Sequence, residues 1–142
     1  MKLVKHLLDN KGRDVISIRS DASVLDAIKL MAERAVGSLL VMDGERLEGI
    51  VTERDYARKV IIKGRASEST QVGEIMTSDV RTASLEQTVN ECMTFMTNMK
   101  IRHLPVVEDG RVIGMISIGD LVQAIISDQQ HETEQLENYI SG

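Results

Sequence analysis

Gly49-Ile50-Val51-Thr52-Glu53-Arg54-Asp55 recurs 65 residues later as Gly114-Met115-Ile116-Ser117-Ile118-Gly119-Asp120. Each copy reads as a glycine, a short apolar run, a hydroxyl residue, two variable positions and an aspartate, followed by residues that suit a helix. Working outward, the offset (79 − 14 = 65) holds without a gap from Asp14/Asp79 through Ile61/Ile126. Ten pairs are identical, among them Val24/Val89, Met31/Met96, Leu39/Leu104, Gly49/Gly114 and Asp55/Asp120. The chain is thus an internal duplication. Two short copies cannot build a stacked solenoid, so a pseudo-twofold pair in which the repeats complete each other is the better expectation.

Within each copy the periodicity predicts β-α-β-β-α. Val15-Ile16-Ser17-Ile18 suits a strand, and the same is expected at the start of the second copy. Val24, Ala27, Ile28, Met31 and Ala35 recur at helical spacing behind Ser23-x-x-Asp26. Val89, Cys92, Met93, Met96 and Met99 do so behind the capping box Thr88-x-x-Glu91, a Met stripe best read as core. Ser38–Met42 and Leu47–Val51 form one expected hairpin through Asp43-Gly44, and His103–Val107 and Val112–Ile116 another through Asp109-Gly110. The closing helices should bury Ala57, Val60 and Ile61 in one copy and Val122, Ile125 and Ile126 in the other. Around them lie a leader helix (1–13), the repeats at 14–63 and 79–127, a polar linker and lead-in segment (64–78), and an acidic tail (128–142). Leu136, Tyr139 and Ile140 share one helical face there, which predicts a docked or dimer-contacting helix.

Composition narrows the function. The 142 residues, 42% of them hydrophobic, are enough for an ordinary buried core. Four of the net five negative charges come from Asp128, Glu132, Glu134 and Glu137. With one Phe and two Tyr, this disfavours a nucleic-acid surface, which needs clustered cations and stacking aromatics. Cys92, the lone cysteine, reads as a small buried hydrophobe. No apolar run is long enough for a membrane span and none resembles a signal peptide, so the cytoplasm is the expected compartment. His6, His103 and His131 lack partners at metal-ligand spacing, and no catalytic triad signature is present.

The recurring motif has two readings. Thr52-x-x-Asp55 and Ser117-x-x-Asp120 could simply cap helices. The usual acidic partner in a capping box is Glu or Gln, however, and the shorter Asp is expected to reach back less readily and to face outward. A hydroxyl, free N–H groups and a helix N-terminus then make a phosphate site, while an aspartate suits the two hydroxyls of a ribose. Arg54, Arg58, Lys59 and Lys63 supply cations beside the first motif.

The two-repeat pattern, the Gly-apolar-apolar-Thr/Ser-x-x-Asp motif, Ile75-Met76-Thr77 and Ile101-Arg102-His103-Leu104-Pro105-Val106-Val107 resemble a pair of cystathionine-beta-synthase (CBS) domains, the Bateman module. The likeness covers residues 14–126, and the leader and acidic tail are similar to those of small stand-alone bacterial members. It implies an α+β (α/β) fold of two pseudo-symmetric β-α-β-β-α repeats packed as one module, without catalysis. It further implies an adenosyl ligand in the cleft between the repeats, AMP first, with ADP, ATP, NAD or S-adenosylmethionine as alternatives, and signalling to a regulated partner protein. By position, Asp55 and Asp120 would hold ribose hydroxyls, and Thr52 and Ser117 would approach the phosphate or ribose. Arg102 and His103, with Arg54 and Arg58, would serve phosphate, while Thr77 and its expected equivalent Gly12 would border the adenine. A homodimer is implied, built on the helices that begin near Val24, Thr52, Val89 and Ser117. Gly37-Ser38 replaces Arg102-His103 in the first copy and Ile118-Gly119 replaces Glu53-Arg54 in the second, so the two sites should differ. The alternative function is a dimerisation scaffold indifferent to nucleotides.

Overall fold

A computed structural model of the chain describes residues 2–141. These form two compact units whose membership crosses the order of the repeats. One contains residues 15–81 with 109–112, and the other joins residues 2–14 to 82–108 and 113–141.

In the first-repeat unit, β1 (Ser17–Ile18) pairs parallel with β2 (Ser38–Asp43), which pairs antiparallel with β3 (Arg46–Thr52). Helix α2 (Val24–Arg34) starts where the Ser23 hydroxyl accepts the Asp26 N–H at 3.0 Å, and ends at Ala35 in the left-handed region. Val24, Ala27 and Met31 pack against Leu39, Val41 and Val51, which form the core with Val60, Val72 and Ile75. The last two come from α4 (Val72–Ile75), whose Val72 N–H donates to the Ala22 carbonyl at 2.9 Å. The closing segment is α3 (Glu53–Tyr56) followed by a π-helical turn, Ala57–Ile61. Such turns are rare and often accompany functional sites.

In the second-repeat unit, α5 (Val89–Met99) packs with the hairpin of β4 (His103–Glu108) and β5 (Arg111–Ser117) and with α6 (Ile118–Ser141). Helix α1 (Val4–Lys11) joins this core through Val4, Leu7 and Leu8. Its start is held by Val4 N–H to Gln87 O (2.9 Å) and Val89 N–H to Lys2 O (2.9 Å). Burying such aliphatic side chains stabilises by about 1.5–3 kcal/mol each, so the leader is part of the core.

The leader α1 is to the second repeat what α4 is to the first. Leu8 lies against Gly114 and Met76 against Gly49, so these partners differ by 68 residues, not 65. Gly12 is therefore not the counterpart of Thr77 as expected; Asp9 is. Thr77 is extended and bridges Ile50, whereas α1 continues helically to Lys11 and stops at Gly12, whose φ of 98° disfavours a side chain.

Other expectations need correction. The second repeat has no first strand among the described residues and keeps only a single bridge, Ala83 to Val106, because Arg81 and Ala83 stand where the first copy has the strand-favouring Ile16 and Ile18. The closing helices bury Val60, Leu121 and Ala124, leaving Ala57, Ile61, Val122 and Ile126 exposed; Met99 is exposed as well. The tail is no separate docked helix but the continuation of α6, with Leu136, Tyr139 and Ile140 60–85% exposed. No helix among the described residues is long and apolar enough to cross a membrane.

Candidate functional site

The strand-to-helix junction of each motif is built alike. At the end of β3, the Thr52 hydroxyl accepts the Asp55 N–H at 3.1 Å, and Asp55 Oδ2 accepts the Thr52 N–H at 3.0 Å and its hydroxyl at 3.1 Å. At the end of β5, the Ser117 hydroxyl accepts the Asp120 N–H at 3.1 Å, and Asp120 Oδ2 accepts the Ser117 N–H at 2.8 Å. Both aspartates thus close reciprocal caps, contrary to the expectation that they would face away. The extended Thr52, with φ −128° and ψ 163°, turns its N–H toward the helix's third residue, within the reach of a short Asp.

The first-turn N–H groups are also less free than expected. Glu53 N–H donates to Gly37 O at 3.1 Å and Ile118 N–H to Arg102 O at 3.0 Å. With the third N–H of each turn taken by the cap, the middle donor remains, from Arg54 or Gly119. Only the second copy has a glycine there, so that a ligand could approach the backbone closely.

A lysine completes each aspartate, and sequence reading singled out neither for this role. Lys59 Nζ lies 3.2 Å from Asp55 Oδ1 and donates to Ile75 O at 2.8 Å. Ala124 occupies the matching position in the second copy, and there the cation comes from the leader: Lys11 Nζ donates to Asp120 Oδ2 and, at 2.6 Å, to Met115 O. A four-residue spacing could have flagged Lys59. Lys11 is 109 positions from Asp120, and nothing local pairs them.

The carboxylates consequently differ. Asp55 is buried and uses both oxygens. Asp120 is 27% exposed and concentrates its contacts on Oδ2, leaving Oδ1 without a protein partner among the described residues. Burial pushes the Asp120 carboxyl up, but the Lys11 ammonium and the Ser117 N–H together outweigh it and hold the group below the usual carboxylate range. Burial, followed by the Lys11 charge, pushes the His103 imidazole below its ordinary range against the pull of Asp120. His103 is therefore a neutral hydrogen-bonding group near pH 7, not half of a cationic pair. A cavity of about 300 Å3 is lined by Lys2, Leu7, Asn10 and Lys11 on one side and Asp120, Gln123, Ala124 and Ser127 on the other; of the ten sequence-predicted residues only Asp120 lines it.

The ten sequence-predicted residues divide equally. Thr52, Arg54, Asp55, Arg58 and Thr77 belong to the first-repeat unit, while Gly12, Arg102, His103, Ser117 and Asp120 belong to the second. Arg54, Arg58 and Arg102 are exposed. In the first unit the Glu53 carboxylate lies against Gly37, where the second copy pairs Ile118 with Arg102, so the local charge is inverted between the copies.

Duplicated α/β units, each presenting a capped hydroxyl-x-x-aspartate turn at the end of a hairpin, define a tandem-repeat protein rather than a solenoid. The CBS domain family matches this chain twice, at residues 5–62 and 72–127, and the chain belongs to that family as a tandem CBS pair. The Arabidopsis thaliana mitochondrial CBS domain-containing protein CBSX3 is 44% identical over 148 residues, covering 98% of this chain and 72% of that protein. A solved protein with CBS domains from Burkholderia ambifaria MC40-6 superposes with a TM-score of 0.86 at 50% identity, covering 90% of this chain and 96% of the other. The CBS domain pair of protein MJ0100, solved in complex with 5′-methylthioadenosine and S-adenosyl-L-methionine, is 28% identical with a TM-score of 0.79 over 90% and 98% of the two chains.

Proposed function

We propose that this chain is a non-catalytic regulatory module that binds an adenosyl nucleotide, AMP foremost with ATP or NAD as alternatives, and signals occupancy to a partner protein. One observation carries the reading: the Ser117 N–H and the Lys11 ammonium fix Asp120 through Oδ2 and leave Oδ1 without a partner among the described residues, an acceptor that a ribose diol can use. The adenosyl ligands of the MJ0100 pair support the ligand class. Ser117 and the Gly119 N–H would approach the ribose or phosphate, Arg102 would supply the cation, and His103 a neutral hydrogen bond. The Thr52/Asp55 site is the weaker of the two, because both Asp55 oxygens are engaged and Glu53 opposes phosphate.

Calorimetric titration with adenosine, AMP, ATP, NAD and S-adenosylmethionine tests this reading. Binding that Asp120→Ala abolishes and Asp55→Ala leaves largely intact is the expected result; no binding by any of the five sinks it. The scaffold reading draws on the exposed apolar residues Met99, Val122, Ile126, Leu136, Tyr139 and Ile140. These also support a homodimer in either case, which sedimentation as a strict monomer at micromolar concentration would contradict.

A further inference from the structure

Ile50 and Met115 are equivalent strand residues 65 positions apart, yet their carbonyls are satisfied differently. In the first-repeat unit Ile50 O accepts the backbone N–H of Thr77 at 2.8 Å, and Ile50 N–H donates to Thr77 O at 3.0 Å, a two-bond bridge independent of any side chain. In the second, Met115 O accepts from Lys11 Nζ at 2.6 Å, and the same ammonium is bonded to Asp120 Oδ2. The end of the leader helix is thus fastened to the strand through a side chain that the motif aspartate shares. The first-repeat unit has no such dependence, since Asp55 is served by Lys59 from its own closing segment.

We infer that Lys11 is a latch: a ligand whose hydroxyls take up Asp120 competes with the Lys11 ammonium, and its arrival releases the carboxyl-terminal end of the leader helix. This inference rests on the adenosyl reading of the Asp120 site and adds to it the element that moves. Each carboxylate oxygen offers about two acceptor positions, and the Ser117 N–H and the Lys11 ammonium already take those of Oδ2, so a diol that spans both oxygens displaces the ammonium. Once Lys11 withdraws, the Met115 carbonyl loses that partner and the last turn of the helix is left with its own backbone bonds, Gly12 N–H to Leu8 O at 2.7 Å among them. Val4, Leu7 and Leu8 remain buried, so the start of the helix stays docked while its end loosens. Occupancy of the second motif becomes a change in the leader, whereas occupancy of the first does not.

The test uses adenosine, which has no phosphate to respond to the lysine charge, and amide hydrogen exchange across residues 8–12. In the wild type, adenosine should speed exchange at these amides several-fold. Lys11→Met and Asp120→Ala should each show the faster exchange without ligand. Lys11→Met should also tighten adenosine binding about three- to tenfold, the span set by the modest worth of a partly exposed ion pair. Lys5→Met removes the same charge from an exposed position of the same helix and should change neither quantity appreciably. Adenosine binding that needs Asp120 but leaves these amides unchanged or more protected overturns the latch and leaves the ligand reading standing, as does a Lys11→Met protein that binds more weakly. Unaltered exchange in both ligand-free variants also overturns it. If adenosine does not bind through Asp120 at all, the ligand reading fails and the coupling falls with it.

Discussion

Replacing each motif aspartate with alanine separates its structural from its binding role. Asp55→Ala removes three contacts from a buried side chain: the Thr52 N–H at 3.0 Å, the Thr52 hydroxyl at 3.1 Å and Lys59 at 3.2 Å. Loss of the cap's acidic half and an orphaned, partly buried Thr52 N–H should together cost about 2 kcal/mol. Asp120→Ala removes the Ser117 N–H bond and the Lys11 pair from a more exposed site, and should cost about 1 kcal/mol. For a chain of this length, about 3 °C of melting temperature accompanies each kcal/mol, so decreases of roughly 6 and 3 °C are expected. Ligand at about 100 times its dissociation constant should add about 2.7 kcal/mol to the wild type, a rise near 8 °C. Paired thermal melts with and without AMP give all these quantities. Asp120→Ala should lose the ligand-induced rise despite its smaller intrinsic decrease, while Asp55→Ala should retain most of it. A full AMP-induced rise in Asp120→Ala would show that this aspartate is a cap and nothing more, and a larger ligand-free decrease there than in Asp55→Ala would refute the energetic ranking.

Gly49→Ala should destabilise by about 1–3 kcal/mol, because a Cβ would sit 2.8 Å from the Thr77 carbonyl oxygen, whereas Gly114→Ala meets only the movable end of Leu8 at 2.9 Å and should cost less; urea unfolding midpoints would rank them. Burial, with a smaller contribution from Glu91, pushes the Cys92 thiol up to about 11, so a thiol reagent at pH 8 should label native protein far more slowly than urea-unfolded protein. Acid should weaken the fold in two stages. The lowered His103 value means the unfolded chain binds a proton first, so stability falls as pH drops below about 6.5 toward the folded value. The stabilisation from Asp120, fully present above about 3.8, is lost as pH falls through its lower folded value; Lys11→Met should shrink that second stage, as denaturation curves against pH would show.

Much of this was legible in the sequence because it is local. The duplication, the hairpins, the helices behind Ser23 and Thr88, and the hydroxyl-x-x-aspartate junctions depend on periodicity and caps spanning a few residues. The resemblance of Thr52, Asp55, Ser117, Asp120 and Arg102-His103 to CBS motifs named the family. What required the tertiary structure was pairing across long separations. The 68-residue equivalence of α1 and α4 is masked by the 65-residue repeat, and it decides that Asp9, not Gly12, matches Thr77. Which apolar residues of α6 are buried depends on the elements covering it: Leu121 and Ala124 are enclosed while Val122 and Ile126 are not, though all four are apolar. The difference between the two aspartates was likewise invisible in matching motifs. It arises because a lysine four residues away completes Asp55, whereas the lysine completing Asp120 is brought from the other end of the chain by the burial of Val4, Leu7 and Leu8.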